Sequence, residues 1–300
     1  MKQIGKERLD LPLTLMDRAQ CFRWQEACGR FGAVLRGKPV WLWQDGDGIW
    51  AETALETAFV RQYLDLDRDY GALATEYACY PQAQKAIADY PGMRVLRQDV
   101  WETLISFILS ANNNVTRIRG LVEKLSDHFG TAYETPWGTL HDFPTPARLA
   151  RCNPEQLRAL GVGYRDRYLV ETARAVEAGF PMEELRSMPY EEAHERLITL
   201  PGVGDKVADC VQLFGCGHTQ AFPVDVWVAR MAAQVFGLKT ANRKKLAREC
   251  RALLGRDAGL LQQYLFHAAR MGTLEMCPPC AESKIKIFYL EDIASFLPLV

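Results

Sequence analysis

The chain has 300 residues, of which 48% are apolar, 24% charged and 10% aromatic, and its 36 basic residues against 37 acidic leave a net charge of −1. This composition excludes a disordered chain, a collagen and a coiled coil, and the length allows one large domain or two ordinary ones with a sizeable core. No global positive field exists, so any nucleic-acid surface must be local.

Residues 1 to about 65 read as short strands and turns: CFRW, AVLRG, PVWLW and GIWAE are β-prone runs separated by Gly, Asp and Pro. WQDGDGIW carries two Asp-Gly pairs, a hairpin signal. From about residue 83 the pattern turns helical. Val115, Ile118, Val122, Leu125 and Phe129 fall on one face at spacings of three and four, and VADCVQLFG and VWVARMAAQVFG read the same way. Prolines at 136, 144, 146, 154, 181, 189, 201 and 223 divide this part into many short helices. The expected fold is α+β: a small N-terminal antiparallel sheet domain over 1–85, then a mostly helical domain over 86–300.

Nine cysteines at irregular spacing argue for reduced thiols rather than a disulfide framework. MKQIGKERLD has no apolar signal-peptide core, and no apolar run approaches the roughly 18–20 residues of a membrane span, so no secretory signal and no membrane partner are expected.

The most informative stretch is Leu200-Pro-Gly-Val-Gly-Asp-Lys-Val-Ala-Asp-Cys210. A helix, YEEAHERLITL, runs into Pro201. Gly202 and Gly204 follow, and a second helix begins with Asp205 as its expected N-cap. Glycines at a helix start let backbone N–H groups, including that of Val207, approach a phosphate closely. This is a helix-hairpin-helix over about 190–215, a sequence-independent grip on a DNA backbone. Lys206 falls in the first turn of the second helix, where the helix dipole disfavours an ammonium and favours the amine, a nucleophile able to form a Schiff base with a sugar carbon. Asp225, in Phe-Pro-Val-Asp-Val-Trp, stands where the next helix must begin. There it caps the helix, and its ionised carboxylate can stabilise positive charge on C1′ as a glycosidic bond breaks.

LPGVGDKVADC followed by PVDVW resembles the helix-hairpin-helix DNA glycosylase superfamily, whose bifunctional members carry a lysine in the hairpin and an aspartate downstream. Three further segments narrow the resemblance: Ser110-Ala-Asn-Asn-Asn-Val-Thr-Arg117, Leu160-Gly-Val-Gly-Tyr-Arg165, and Gln20-Cys-Phe-Arg-Trp24. With them the chain is similar, from about residue 8 to about 275, to the 8-oxoguanine DNA glycosylase/AP lyases with an N-terminal sheet domain. The resemblance implies a two-lobed helical glycosylase domain after the sheet. It implies Lys206 and Asp225 as catalytic residues, and Asn112, Arg117 and Arg165 as readers of the cytosine left behind. Tyr164 would be the intercalating wedge. Cys210 and Phe266 would sandwich the flipped base, Gln262 would face its Watson–Crick edge, and Ala19, Gln20 and Phe22 would complete the pocket. Carbonyls of Ile198, Leu200 and Val203 would hold a structural monovalent or divalent cation.

The chain departs from the family pattern at Ala19, often a glycine, and at Trp227, a histidine in some members. Cys277-Pro-Pro-Cys280 lacks the further cysteines of the iron–sulfur members of the superfamily, since Arg270 and Lys286 occupy those places. No iron–sulfur cluster is therefore expected, and no cofactor is required. Residues 239–256 hold seven basic residues against one acidic, a solvated helix face or a supplementary DNA-backbone contact. The expected function is excision of 8-oxoguanine from duplex DNA, preferentially opposite cytosine, with strand nicking by β-elimination. The alternatives are a sister glycosylase for an oxidised pyrimidine or alkylated base, and a non-catalytic DNA-binding module. The expected partner is duplex DNA containing a damaged base, met by a monomer in the cytoplasm, or in the nucleus of a eukaryote.

Overall fold

The structure, a computed structural model, describes residues 1–16 and 19–274. Strands β1 (Lys2–Gly5), β2 (Gln25–Ala27), β3 (Arg30–Leu35), β4 (Lys38–Asp45) and β5 (Gly48–Thr53) form one antiparallel sheet in the order β1-β5-β4-β3-β2. The Asp-Gly repeat turns the chain as its chemistry predicts: Asp45 pairs with Gly48 across a two-residue loop. Val40, Leu42, Ile49 and Ala51 point to one face, where they pack with Leu11 and Leu15 of the helix Leu11–Met16 and Val60 and Tyr63 of the helix Thr57–Tyr63.

The structure differs from the sequence reading in three places. Cys21-Phe-Arg-Trp24 joins no ladder; it is a buried connector whose polar groups reach outside the sheet. Helices come well before residue 83: Leu11–Met16 lies among the strands, and from Thr57 on helices follow the sheet. Strands β6 (Ala132–Thr135) and β7 (Gly138–His141) interrupt the helical part as a hairpin. Four-residue strands carry too little alternation to be legible. This pair is held by tertiary contacts: Leu140 packs on Val34 and Trp41, and Trp41 Nε1 donates to Thr135 Oγ1 at 3.1 Å.

The helical domain is built around Val100–Leu109, in which every residue except Glu102 is buried. Asp99 caps it by accepting from the Glu102 amide. Against it lie Val115–Phe129, which buries Ile118, Leu121, Val122 and Leu125 at the expected spacing, and the helices Asp166–Glu177 and Asp205–Cys210; Tyr190–Leu197, Val226–Val235, Arg243–Leu254 and Ala258–Arg270 complete the helical part. The sheet domain's apolar core runs from Ile4 to Leu66 and takes in Leu96; the helical core runs from Tyr70 and takes in Phe22. No helix among the described residues is long and apolar enough to cross a membrane. The described cysteines are all free thiols.

Arg23 locks the two parts together. Its buried guanidinium forms a bidentate pair with Glu102 of the central helix, at 2.8 and 2.6 Å, and donates to the carbonyls of Val34 in β3 and His141 in β7. Removing one partner of such a pair strands a buried charge, whereas removing both leaves none. Glu102→Leu is therefore expected to lower stability by about 3–5 kcal/mol. Arg23→Met added to it should recover part of that loss, as read from urea unfolding midpoints.

Candidate active site

The hairpin joins Tyr190–Leu197 to Asp205–Cys210 through residues 198–204. Gly202 is needed twice over: its φ is +77°, and a Cβ there would lie 2.8 Å from the ring of Tyr168. Thr172 Oγ1 donates to the Pro201 carbonyl at 3.0 Å and fixes the turn from the same neighbouring helix. Gly204, in extended backbone, is the N-cap, and nothing crowds the space a side chain there would fill. The helix start therefore stays open to an incoming group. Asp205 is not the cap expected from the sequence; it is the first helical residue. Its carboxylate lies 3.5 Å from both His194 Nε2 and Lys244 Nζ.

Lys206, half-buried, projects from that first turn. Its Nζ donates to Ser110 Oγ at 3.0 Å and stands 5.0 Å from the centroid of the Phe107 ring. Phe107 is itself fixed, stacked on Phe214 at 5.3 Å and met edge-on by Phe22 at 5.8 Å. Asp225 is the N-cap of Val226–Val235, accepting from the Val228 amide at 2.8 Å. Cys210, one turn after Lys206, joins the two. Burial pushes its thiol up to about 12; the neighbouring Lys206 opposes that shift, and Asp209 and Asp225 add to it. This cysteine is an inert wall and not a second nucleophile. Gln262 is also at this junction: 2% exposed, it donates to the Pro223 carbonyl at 3.1 Å and accepts from Gln263 at 2.8 Å. Phe266 follows one turn later on the same helix, half-buried, with Arg270 over its ring at 5.8 Å.

A second cluster adjoins the first. Arg165, 4% exposed, donates to the carbonyls of Ala111, Asn112 and Val162. Tyr164 is 57% exposed, lies against that guanidinium at 4.5 Å, and approaches the Ala111 carbonyl at 3.4 Å. Asn112 is exposed at φ +49°, in the left-handed region that asparagine tolerates. Asn114 caps Val115–Phe129 by accepting from the Arg117 amide, and among the described residues the exposed Arg117 guanidinium holds only the Gly161 carbonyl, at 3.3 Å. Asn112, Tyr164 and Arg165 thus meet at the carbonyls of Ala111 and Asn112, just after Ser110 in the chain, and Arg117 joins them through Gly161.

Gln20 lies buried in the junction between domains. Its amide donates to the carbonyls of Thr14 and Arg94 and accepts from the Leu96 amide. Ala19 precedes it, half-buried. Trp227 is 38% exposed in the first turn after Asp225, with Arg230 over its ring at 5.5 Å. The basic cluster forms Arg243–Leu254, whose Lys244 reaches Asp205 beside the hairpin. Cys277 and Cys280 lie outside the described residues. Sequence reasoning assigned no role to Ser110 or Phe107. The only signal for them was their place at the end of an apolar helix, which says nothing about a contact 96 residues away.

The family model described as HhH-GPD superfamily base excision DNA repair protein matches residues 105–256, and the model for an 8-oxoguanine DNA glycosylase N-terminal domain matches residues 2–104. An N-glycosylase/DNA lyase of Saccharomyces cerevisiae is 40% identical over 168 residues, 52% of this chain and 44% of that protein. A probable N-glycosylase/DNA lyase of Methanothermobacter thermautotrophicus is 35% identical over 205 residues, 61% and 66% of the two. The chain thus spans less than two thirds of the length of these curated relatives. The Clostridium acetobutylicum 8-oxoguanine glycosylase/lyase, solved with duplex DNA containing cytosine opposite 8-oxoguanine, superposes with a TM-score of 0.82 at 32% identity, over 89% of this chain and 93% of that one.

Behind the hairpin, Asp209 is buried and accepts from the Tyr190 hydroxyl, with the Arg251 guanidinium over the Tyr190 ring at 4.4 Å. Burial pushes the Asp209 carboxyl up from 3.8 to about 6, against the pull of Tyr190 and Arg251. Between those values the native state holds a proton that the unfolded chain has released, so stability falls as pH rises through the window. Asp209→Asn keeps the acceptor for Tyr190 and removes the buried charge. The variant is expected to be the more stable protein at pH 7, by on the order of 1–3 kcal/mol, and equal to the parent below pH about 4. Urea midpoints at the two pH values check this.

Proposed function

Because the chain belongs to the HhH-GPD superfamily of base excision DNA repair proteins, we propose that it is a bifunctional DNA glycosylase and AP lyase that removes 8-oxoguanine from duplex DNA, preferentially opposite cytosine. The observation that carries this reading is the hairpin lysine itself. Lys206 sits at an uncrowded helix start, held by Ser110, in the electrostatic neighbourhood of a capping aspartate. A clamp that only binds DNA has no use for that pairing.

Backbone N–H groups of Gly202, Gly204 and Val207 take a phosphate of the lesion strand. The damaged base leaves the stack and enters a pocket between Cys210 and Phe266, with Ala19, Gln20, Phe22 and Gln262 around it. Lys206 Nζ attacks C1′. The C1′–N9 bond breaks with its electron pair going to the base, which takes up a proton and leaves. The Asp225 carboxylate stabilises the positive charge that develops on the sugar. The attached nitrogen loses a proton, the C1′–O4′ bond breaks with its electron pair going to O4′, which takes up a proton, and the ring-opened sugar is held as a Schiff base; β-elimination then expels the 3′ phosphate and opens the strand on the 3′ side. No cofactor enters these steps, and no iron–sulfur cluster is called for. A structural cation fits the hairpin: the Ile198 and Val203 carbonyls accept no hydrogen bond from the described residues, and that of Leu200 accepts only from Val203, at 3.2 Å. Oxygen donors of this kind suit a hard cation. The lysine, the aspartate and the hairpin come from one chain, so a monomer suffices. It works where the DNA is, in the cytoplasm or in a eukaryotic nucleus, and Lys244 adds a cation beside the phosphate grip.

Tyr164 fills the gap in the stack. Asn112, Arg117 and Arg165 meet the estranged cytosine, whose O2 and N3 accept from arginine and whose N4 donates to an amide oxygen. Arg117 can turn to the base at the loss of one long bond, whereas Arg165 must release the carbonyls of Ala111, Asn112 and Val162. Adenine leaves such donors unmatched, at a cost of roughly 1–3 kcal/mol each, so cleavage opposite cytosine is expected to exceed that opposite adenine by at least about tenfold.

Borohydride trapping on an 8-oxoguanine duplex tests the chemistry. Lys206→Gln should bind lesion DNA and lose both cleavage and the covalent adduct; an adduct formed by this variant would move the nucleophile elsewhere. Asp225→Asn preserves much of the cap, so stability should fall by no more than about 1 kcal/mol while turnover falls on the order of 10² or more. Near-normal turnover would leave Asp225 a cap only. Arg117→Ala should slow cleavage opposite cytosine more than opposite adenine. Equal losses opposite all four bases would assign Arg117 to phosphates instead.

A further inference from the structure

We propose that Ser110 is the residue that aims Lys206: its hydroxyl, fixed by the end of the central helix, accepts from Nζ and orients the amine for attack. This rests on the reading of Lys206 as the nucleophile.

Ser110 is the C-cap of Val100–Leu109, and its amide bonds back to the carbonyls of Ser106 and Phe107 at 3.1 and 3.2 Å. Its hydroxyl proton is committed, donated to the Phe107 carbonyl at 2.7 Å. The oxygen therefore faces Lys206 with its lone pairs and accepts at 3.0 Å. The other side of the ammonium meets the face of Phe107, three residues earlier in the same helix. A lysine has four side-chain torsions, and an unheld one spreads its amine over many positions. Two contacts from one buried turn remove most of that freedom.

The turn cannot drift. Phe107 is wedged between Phe214 and Phe22, and the carbonyl of the next residue, Ala111, is held by Arg165. Among the described residues Ser110 is the side-chain hydrogen-bond partner of Lys206, and the Cys210 thiol is its other polar neighbour. Cys210 is protonated and set on the hairpin's own helix, so it moves with the lysine and cannot aim it. Ser110 stands on a different element and sets the direction from outside.

The test uses the full chain and three proteins: parent, Ser110→Ala and Ser110→Thr. Single-turnover borohydride trapping is measured on an abasic-site duplex with enzyme in excess, alongside the Kd for the same duplex. The Ala variant is expected to bind within about twofold of the parent and to trap at least tenfold more slowly; Thr, which keeps the hydroxyl, should restore most of the rate. Trapping at the parent rate in the Ala variant overturns the proposal. So does a loss of binding that accounts for the slower rate, and so does a loss shared by Ala and Thr. A second readout needs no DNA. The acylation rate of Lys206, taken by mass spectrometry relative to the exposed Lys85, should change severalfold in the Ala variant and return in the Thr variant. If the parent fails to trap any abasic duplex, the functional reading fails, and this second readout still decides whether Ser110 positions the lysine.

Discussion

A buried helix cannot leave its last carbonyls bare. Val100–Leu109 is buried through Leu109 and leaves the core at half-buried Ser110, and its C-terminal carbonyls must find donors there. Phe107 takes the Ser110 hydroxyl, Leu109 takes the Asn113 amide at 3.0 Å, and Arg165 covers the carbonyls of Ala111 and Asn112. The residues that meet this requirement are those proposed to hold the nucleophile and to face the opposite strand. Structural and functional readings of the Ser-Ala-Asn-Asn-Asn run therefore agree. The polar termination that lets the helix end at the edge of the core also brings a hydroxyl, two amides and a guanidinium to one place.

From that end the rest of the site follows. The lysine comes from the hairpin, the aspartate from the next helix, and the outer wall from Ala258–Arg270, which Gln262 ties to the backbone just before Asp225. The hairpin's second helix does not stop at Cys210. It widens into a π turn over Val211–Cys216, and the Phe214 carbonyl accepts from the Gln98 amide at 2.7 Å. Gln98 donates through its side chain to the Gln20 carbonyl at 2.6 Å, and its own carbonyl accepts from Arg186. One buried residue thus connects the sheet domain, the lysine's helix and a third segment. Its backbone N–H, its carbonyl and its side-chain NH2 each have a partner, as burying such groups requires. The sheet domain is held to the lysine's helix by this route and to the central helix by Arg23, and not by apolar contact alone.

Much was legible in the sequence for reasons of short range. The Asp-Gly hairpin, the inward stripe of Val115–Phe129, the hairpin glycines and the capping place of Asp225 depend on a few neighbouring residues, and the structure carries each of them. Asp205 shows the limit even there. Two adjacent residues compete for one cap, and Gly204, already extended, takes it. Gln20 shows it at longer range. Its amide answers to Thr14, Arg94 and Leu96, two of them more than seventy residues away, which no local pattern names.

What the sequence by itself determined was the α+β division, the hairpin with its lysine, and the aspartate at the head of the following helix, because local backbone rules and side-chain chemistry place all three. Only the tertiary structure decided that Ser110 meets Lys206 across 96 residues, that Arg165 supports the turn beside it, and that Arg23 and Gln98 join the domains. These are hydrogen bonds between buried groups far apart in the chain. Their partners are chosen by which orphaned donors and acceptors packing brings together, and no periodicity or spacing records that choice.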